Sequence, residues 1–287
     1  MTPNEARTIL TKELKNIYDA GELSNIIDLV LEHITGLPKI EQVRTKVPYL
    51  TCEQLEDIDA ITDRLKNNEP VQYVLGEAWF YGMKFKVNRS VLIPRPETEE
   101  LVYWIIKQQA IDNRQLAIID IGTGSGCIPI TLKKKLPEAN VSAVDVCSEA
   151  IFTATENAVE HNAEVDFVLL DFLDEEKWNE LGQYDIIVSN PPYVKQSESS
   201  SMHIRVKDFE PHRALFVPDN DALLFYKKLA AFSQHHLKPG GNLFAEINEA
   251  LGNEVVDLFH SSGLINIELK KDMQGKDRMM KAQKNSL

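Results

Sequence analysis

Residues 116–126, Leu-Ala-Ile-Ile-Asp-Ile-Gly-Thr-Gly-Ser-Gly, constrain this chain more tightly than any other stretch. Residues 116–121 are apolar at adjacent as well as alternate positions, the pattern of a strand buried on both faces. Gly122, Gly124 and Gly126 then permit a tight turn and a close approach of backbone to a ligand. A helix follows over 128–136, with Pro129 in its first turn. Residues 141–146 read as the next strand, 148–162 as the next helix, and 165–170, 184–189 and 242–247 as further strands. This alternation predicts an α/β fold, a mostly parallel sheet covered by helices on both faces. Near the C-terminus, residues 265–270 and 278–282 flank Gly275, so the sheet is expected to end in an antiparallel hairpin.

Residues 1–70 differ in kind. Thr2-Pro3-Asn4-Glu5 has the form of a capping box with proline at the first helical position, and Ala6, Ile9, Leu10, Leu14 and Ile17 recur at helical spacing. A second helix is predicted from Ser24 to a stop at Gly36, and another behind a Thr51/Gln54 capping box, ending before Pro70. Their amphipathic faces predict a small all-α bundle. In residues 71–96, Trp79-Phe80-Tyr81-Gly82 and Phe85-Lys86-Val87 suggest a short hairpin. Leu92-Ile93-Pro94-Arg95-Pro96 is expected to be extended, because each proline disfavours helix at the residue before it. This segment is assigned as a hairpin linker, and residues 97–287 as the α/β domain. Residues 197–201, Ser-Glu-Ser-Ser-Ser, read as a polar loop and the segment most prone to move.

A formal net charge of -13 argues against direct nucleic-acid binding, which draws on a basic face, and favours a protein or small-molecule partner. Cys52, Cys127 and Cys147 are scattered and odd in number. They fit neither a disulfide framework nor a zinc site, so the expectation is a reducing cytoplasm and no metal. No apolar run is long enough to span a bilayer, and the polar N-terminus does not look like a secretion signal.

Acids recur at the strand ends. Asp145 closes the second strand, where nucleotide-binding sheets place a carboxylate that accepts from ribose hydroxyls. Asp171 and Phe172 follow the third strand. Asp171 is positioned to accept from an adenine amino group. Phe172 reads equally well as a core aromatic or as a ring packed on adenine. Asp120 precedes the glycines. A carboxylate there suits the ammonium of a methionine moiety and would repel the pyrophosphate of a dinucleotide. The loop therefore favours S-adenosyl-L-methionine over NAD.

Asn190-Pro191-Pro192-Tyr193 follows the 184–189 strand at its C-terminal end, the functional edge of such a sheet. The two prolines stiffen the backbone and remove two N–H donors. What remains is a pair of acceptors, the Asn190 side-chain oxygen and the Pro191 carbonyl. Such a pair suits an –NH2 group with two hydrogens to place, and Tyr193 offers a flat face to a planar group. An amide nitrogen is a poor nucleophile because its lone pair is delocalised. Gripping both N–H bonds in a way that improves as the nitrogen pyramidalises stabilises the transition state of methyl transfer. Asn190 is the candidate catalytic residue, and no general base is required. Glu210 reads as a helper or, more simply, as a solvated loop carboxylate. His203, His212, His235 and His236 read as surface residues.

Together these segments resemble the release factor glutamine methyltransferases, the HemK/PrmC family. The resemblance rests on Pro70-Val71-Gln72-Tyr73-Val74-Leu75-Gly76-Glu77, Leu92-Ile93-Pro94-Arg95-Pro96-Glu97-Thr98-Glu99, the loop from Asp120 to Gly126, Asn190 to Tyr193, Phe209-Glu210-Pro211, and Asp272-Met273-Gln274-Gly275-Lys276-Asp277-Arg278. It implies a Rossmann-like class I S-adenosyl-L-methionine-dependent methyltransferase sheet behind an all-α N-terminal domain. The implied activity is N5-methylation of the glutamine in the Gly-Gly-Gln motif of class 1 peptide chain release factors. By position, Gly122, Thr123, Gly124, Ser125, Gly126, Asp145, Phe172 and Asn190 would bind cofactor, and Asn190, Pro191, Pro192 and Tyr193 would hold the substrate glutamine. Phe172 departs from members that carry tryptophan there. Residues 1–70 would dock the release factor.

Three rivals remain. An adenine-N6 DNA methyltransferase uses a similar tetrapeptide on a flipped base, but would need a target-reading domain and a basic surface. Ribosomal-protein glutamine methyltransferases share the tetrapeptide but differ at residues 95–99. A non-catalytic nucleotide-binding scaffold has no use for an intact tetrapeptide.

Overall fold

A computed structural model describes residues 1–44, 49–109 and 115–286. The chain divides into two compact units, Met1–Glu77 with His203–Phe209, and Ala78–Met202 with Glu210–Leu287.

The first unit is helical: α1 Pro3–Leu14, α2 Ala20–Thr35, α3 Lys39–Arg44, α4 Cys52–Lys66 and α5 Val71–Leu75. Both expected capping boxes form, Thr2 with Glu5 ahead of α1 and Thr51 with Gln54 ahead of α4. Gly36 ends α2 in the left-handed conformation, as expected. The start of α2 lies earlier than Ser24. Asp19 caps it by accepting from the Gly21 and Glu22 amides, each at 2.9 Å. The cap outweighs the poor helix propensity of Gly21, which hid this turn from the sequence pattern. α3 and α5 are too short to display a period and were not anticipated. Leu10, Leu14, Ile27, Val30, Leu31 and Leu65 fill the core. The segment 203–209 joins this unit through Arg205, which stacks over the Tyr18 ring at 4.0 Å and pairs with Glu22 at 2.6 Å.

The second unit opens with the expected hairpin, β1 Glu77–Phe80 and β2 Met83–Lys86, and then α6 Pro96–Gln109. β3 Ala117–Ile121, α7 Cys127–Lys135, β4 Asn140–Asp145, α8 Ser148–Glu160, β5 Asp166–Leu169 and β6 Tyr184–Ser189 follow. Next come β7 Val194–Lys195, α9 Ile204–Phe209 (carried in the helical unit), α10 His212–Leu215, β8 Phe216–Val217 and α11 Leu224–His236. The chain ends with β9 Leu237–Glu246, α12 Gly252–Ser261, β10 Leu264–Lys271 and β11 Asp277–Lys284. The main sheet has the order β10-β11-β9-β6-β3-β4-β5. From β9 to β5 the pairings are parallel, and β11 runs antiparallel to both β9 and β10. The expected parallel sheet with a closing hairpin is therefore present.

Two expectations fail locally. Residues 197–201 are not an irregular loop but part of a 3-10 turn, Gln196–Ser201. Asp219 fixes it by accepting from both the Ser197 amide and its hydroxyl at 2.9 Å. β9 starts at Leu237 rather than at residue 242, with a bulge over residues 238–241: Leu237 pairs with Tyr184 and Asn242 with Ile186. Gly241 makes that possible: a Cβ there would lie 2.9 Å from the Lys238 carbonyl and 3.0 Å from that of Asp185. Among the described residues no helix is long and apolar enough to cross a membrane.

The sheet order sets the site. β4 and β5 lie on one side of β3, β6 and β9 on the other, so β3 and β6 flank the point where the winding reverses. Their ends are level, Ile121 pairing with Ser189. The loops that leave them therefore open on one crevice, the ligand position in sheets of this kind.

Candidate active site

A cavity of about 640 Å³ occupies that crevice. Gly122, Thr123, Gly124, Ser125, Asp145, Phe172, Asn190, Pro191 and Pro192 all line it, so three strand ends and the tetrapeptide meet around one space. Two of the sequence candidates stand back from it. Gly126 caps α7, and a Cβ there would come within 3.0 Å of Ala154 and Ile130, so its role is close helix packing. Tyr193 does not line the cavity. Its ring packs against the sheet core and its hydroxyl donates to Glu246 at 3.0 Å. Burial, and next the charge of Glu246, push that phenol upward from its ordinary range.

The glycine loop is shaped for a ligand. Gly122 and Gly124 have φ of 78° and 54°, and nothing lies within 4 Å of where their Cβ atoms would be. The Asp120 carboxylate, Thr123 Oγ1 and Ser125 Oγ are buried without a well-formed hydrogen bond among the described residues. Burial pushes Asp120 up to about 7, the Thr123 side chain opposing and Asp145 adding to the rise. Unpaired polar groups around an open glycine cradle are what a polar ligand would complete. Asp145 is already half engaged. One oxygen accepts from the Gly124 amide and the other from the Cys147 amide, both at 2.9 Å, and each keeps a lone pair for a hydroxyl. Burial raises Asp145, while the backbone amides of Gly124, Cys147 and Val146 and the charge of Arg213 oppose it. Phe172 lines the cavity, and as a core aromatic it stacks on Trp178 at 5.4 Å and meets Phe232 edge-on. These features suit a cofactor with an ammonium, a ribose and a flat base.

Among the described residues the Asn190 side chain makes one hydrogen bond, from Nδ2 to Thr98 Oγ1 at 3.0 Å. Thr98 in turn donates to Glu246 Oε2 at 2.7 Å. Neither Thr98 nor Glu246 was singled out as a site residue from sequence. A threonine in a helix and a glutamate in a strand carry no chemical signal until the fold joins them.

The 95–100 segment stands out in sequence, but its structural use does not: Arg95, Thr98, Glu99 and Glu100 each tie down a different piece of the unit. Arg95 pairs with Glu210, Glu99 accepts from the Tyr81 amide at 2.8 Å, and Glu100 accepts from the Met273 amide at 3.2 Å. Glu210 is thus not a solvated loop carboxylate. It is buried, and it also accepts from the Ile93 amide at 3.3 Å. Nor does it line the cavity. Another residue missed from sequence is Asn157 in α8, fully buried. It accepts from the Lys86 amide at 2.7 Å and donates to the Lys86 and Ser125 carbonyls at 3.0 and 2.9 Å. It ties the hairpin to the glycine loop. The 272–278 turn is likewise structural: Asp272 accepts from the Gln274 and Lys276 amides at 3.0 Å. Burial raises the Glu246 carboxyl, and the Thr98 and Tyr193 hydroxyls and the charge of Arg278 oppose that rise.

This sheet, with its glycine-loop crevice and C-terminal antiparallel hairpin, is that of the class I methyltransferases. A methyltransferase from Pyrococcus furiosus shares the fold, with a TM-score of 0.50 and 19% identity over 78% of this chain and 97% of that one. The methyltransferase small domain family matches residues 105–207, and the PrmC N-terminal domain family matches residues 5–76. The release factor glutamine methyltransferase of Flavobacterium psychrophilum is 44% identical over 96% of both chains. That of Bacteroides thetaiotaomicron is 40% identical over 97% of this chain and 99% of its own. The chain belongs to the release factor glutamine methyltransferase family.

Proposed function

We propose that this protein uses S-adenosyl-L-methionine to methylate the side-chain amide nitrogen, N5, of the glutamine in the Gly-Gly-Gln motif of class 1 peptide chain release factors. The observation that carries this reading is that Asn190 and the glycine loop line one cavity, with Asn190 Oδ1 uncommitted among the described residues. The cofactor supplies a methyl group on a sulfonium centre. Gly122 to Ser125 and Asp145 hold it, with Asp120 behind the loop to balance its ammonium and Phe172 beside its base. Asn190 Oδ1 and the Pro191 carbonyl accept the two amide hydrogens of the substrate and aim the nitrogen lone pair into the cavity. Orientation of this kind removes entropy from the barrier, and acceptors that fit the pyramidal nitrogen best lower it further. Walls formed by Leu92, Pro94 and Phe216 exclude water from the transfer. No side chain is needed as base: Glu210 is committed to Arg95, and the proton that leaves the methylated nitrogen passes to water.

The helical unit is assigned the docking of the intact release factor, in the cytoplasm and without direct contact to nucleic acid. Labelled-methyl transfer to a release factor, a ribosomal protein and DNA in parallel tests the reading. Label on the release factor glutamine alone is expected. Label on either of the others in its place would overturn the assignment.

A further inference from the structure

Thr98 stands between Asn190 and Glu246 with a single hydroxyl proton to give. Glu246 is 1% exposed and takes that proton on Oε2, while its Oε1 takes the proton of Tyr193. Thr98 Oγ1 accepts from Asn190 Nδ2, an amide nitrogen that can only donate, so its own single proton is left for Glu246 Oε2. Both hydroxyl protons at the buried end, from Thr98 and Tyr193, are directed at the Glu246 carboxyl group. Burial raises the Glu246 carboxyl and Glu97 on α6 adds to the rise, while the Thr98 and Tyr193 hydroxyls and the charge of Arg278 on β11 oppose it; the Tyr226 hydroxyl on α11 reaches the Glu246 backbone carbonyl at 3.3 Å.

The consequence falls on the cavity. The two ends of a side-chain amide are nearly the same size, and a half-turn about its last bond exchanges an acceptor for a donor. With Nδ2 held by Thr98, the end left for a ligand is Oδ1. We propose that Thr98 and Glu246 are positioning residues that fix the polarity of the Asn190 amide and so make the site select an amide side chain over a carboxylate of the same shape. Glutamine brings two N–H donors to Oδ1 and the Pro191 carbonyl. Glutamate brings only acceptors and meets two more. Were Asn190 free to turn, Nδ2 would face the ligand and glutamate would gain a donor. Sites built around a hydrogen-bond pattern discriminate strongly because the wrong ligand leaves buried groups unpaired. The proposal rests on the reading of Asn190 as the residue that holds the target amide.

The experiment measures inhibition of release factor methylation by two peptides that differ only in Gly-Gly-Gln against Gly-Gly-Glu, together with calorimetric binding of S-adenosylhomocysteine. The parent is expected to prefer the glutamine peptide by at least about 100-fold, within the range such hydrogen-bonded sites reach. Thr98→Val keeps the side-chain shape but removes the relay, and is expected to cut that preference at least tenfold with nucleoside affinity little changed. Thr98→Ser restores the hydroxyl and is expected to restore the preference. Glu246→Gln, which can donate toward Thr98, is expected to erode it as well. A Thr98→Val protein that weakens both peptides equally, or neither, overturns the proposal. Unchanged glutamine-peptide inhibition in Asn190→Ala would instead overturn the underlying reading of Asn190, so the two failures are distinct.

Discussion

At the scale of single residues the site works by leaving polar groups unfinished. Asp120 is the clearest case, a carboxylate fully removed from solvent and pushed up to about 7 by that burial. A folded-state value above the unfolded one means the folded protein holds the proton longer. Asp120 therefore costs no stability below about pH 4 and costs progressively more as pH rises to about 7. Without cofactor, Asp120→Asn is expected to be more stable than the parent at pH 8 and similar to it at pH 4, as read from urea unfolding. Cofactor affinity is expected to shift the opposite way. Calorimetry from pH 6 to 7.5 should show the parent binding S-adenosylmethionine more tightly as Asp120 ionises to meet the ammonium, with a flatter profile in the variant. Parallel profiles would contradict that role. Asn190→Ala removes the acceptor while sparing the glycine cradle. Methyl transfer is expected to fall by 100-fold or more, about the loss seen on removing one transition-state hydrogen bond, with cofactor affinity largely retained. Of the residues on the cavity, Gly122 to Ser125, Asp145 and Asn190-Pro191-Pro192 were legible from sequence because each belongs to a local string with its own chemistry. Thr98 and Glu246 lie 148 positions apart and become a pair only across the fold.

At the scale of elements, the glycine loop is held by its neighbours rather than by itself. Asn157 on α8 satisfies two carbonyls and one amide on two other segments with a single side chain. Asn157→Ala strands those groups and is expected to lower stability by about 2–3 kcal/mol. It is also expected to weaken cofactor binding several-fold, because the Ser125 carbonyl loses its tether. Chemical denaturation and calorimetry on the same preparation check both effects. A change in stability alone would show that the loop keeps its form unaided. The long amphipathic helices and the buried strands β3 and β6 were readable because their apolar periods persist for several residues. α3, α5 and the early start of α2 were not, since a helix of one or two turns shows no period and a glycine in α2 argued locally for a break. The strand through Pro239-Gly240-Gly241 was hidden for the same reason. Pairing with β6 resumes on either side of it, Leu237 with Tyr184 and Asn242 with Ile186, so the segment is a bulge inside a longer strand.

At the scale of the whole molecule, two compact units of different class share one chain, and the helical one draws in residues 203–209 from far along the sequence. If the helical unit docks the release factor, removing residues 1–70 should raise the Michaelis constant for the intact factor far more than for a Gly-Gly-Gln peptide. Steady-state methyl transfer on both substrates tests this, the peptide reporting whether the remaining unit is folded. An equal rise on both would assign the helical unit a purely structural part.

The sequence by itself determined the α/β class, the crevice loops and the acceptor character of the tetrapeptide, because each depends on neighbours within a few residues. The tertiary structure alone decided which way the Asn190 amide faces. That orientation follows from a buried carboxyl group joined to it through the hydroxyl of a helix residue, and no local pattern in the chain encodes the join. Residues 95–100 stand between the two cases: the string was conspicuous, but its use as a set of ties to four separate segments followed only from the packing around it.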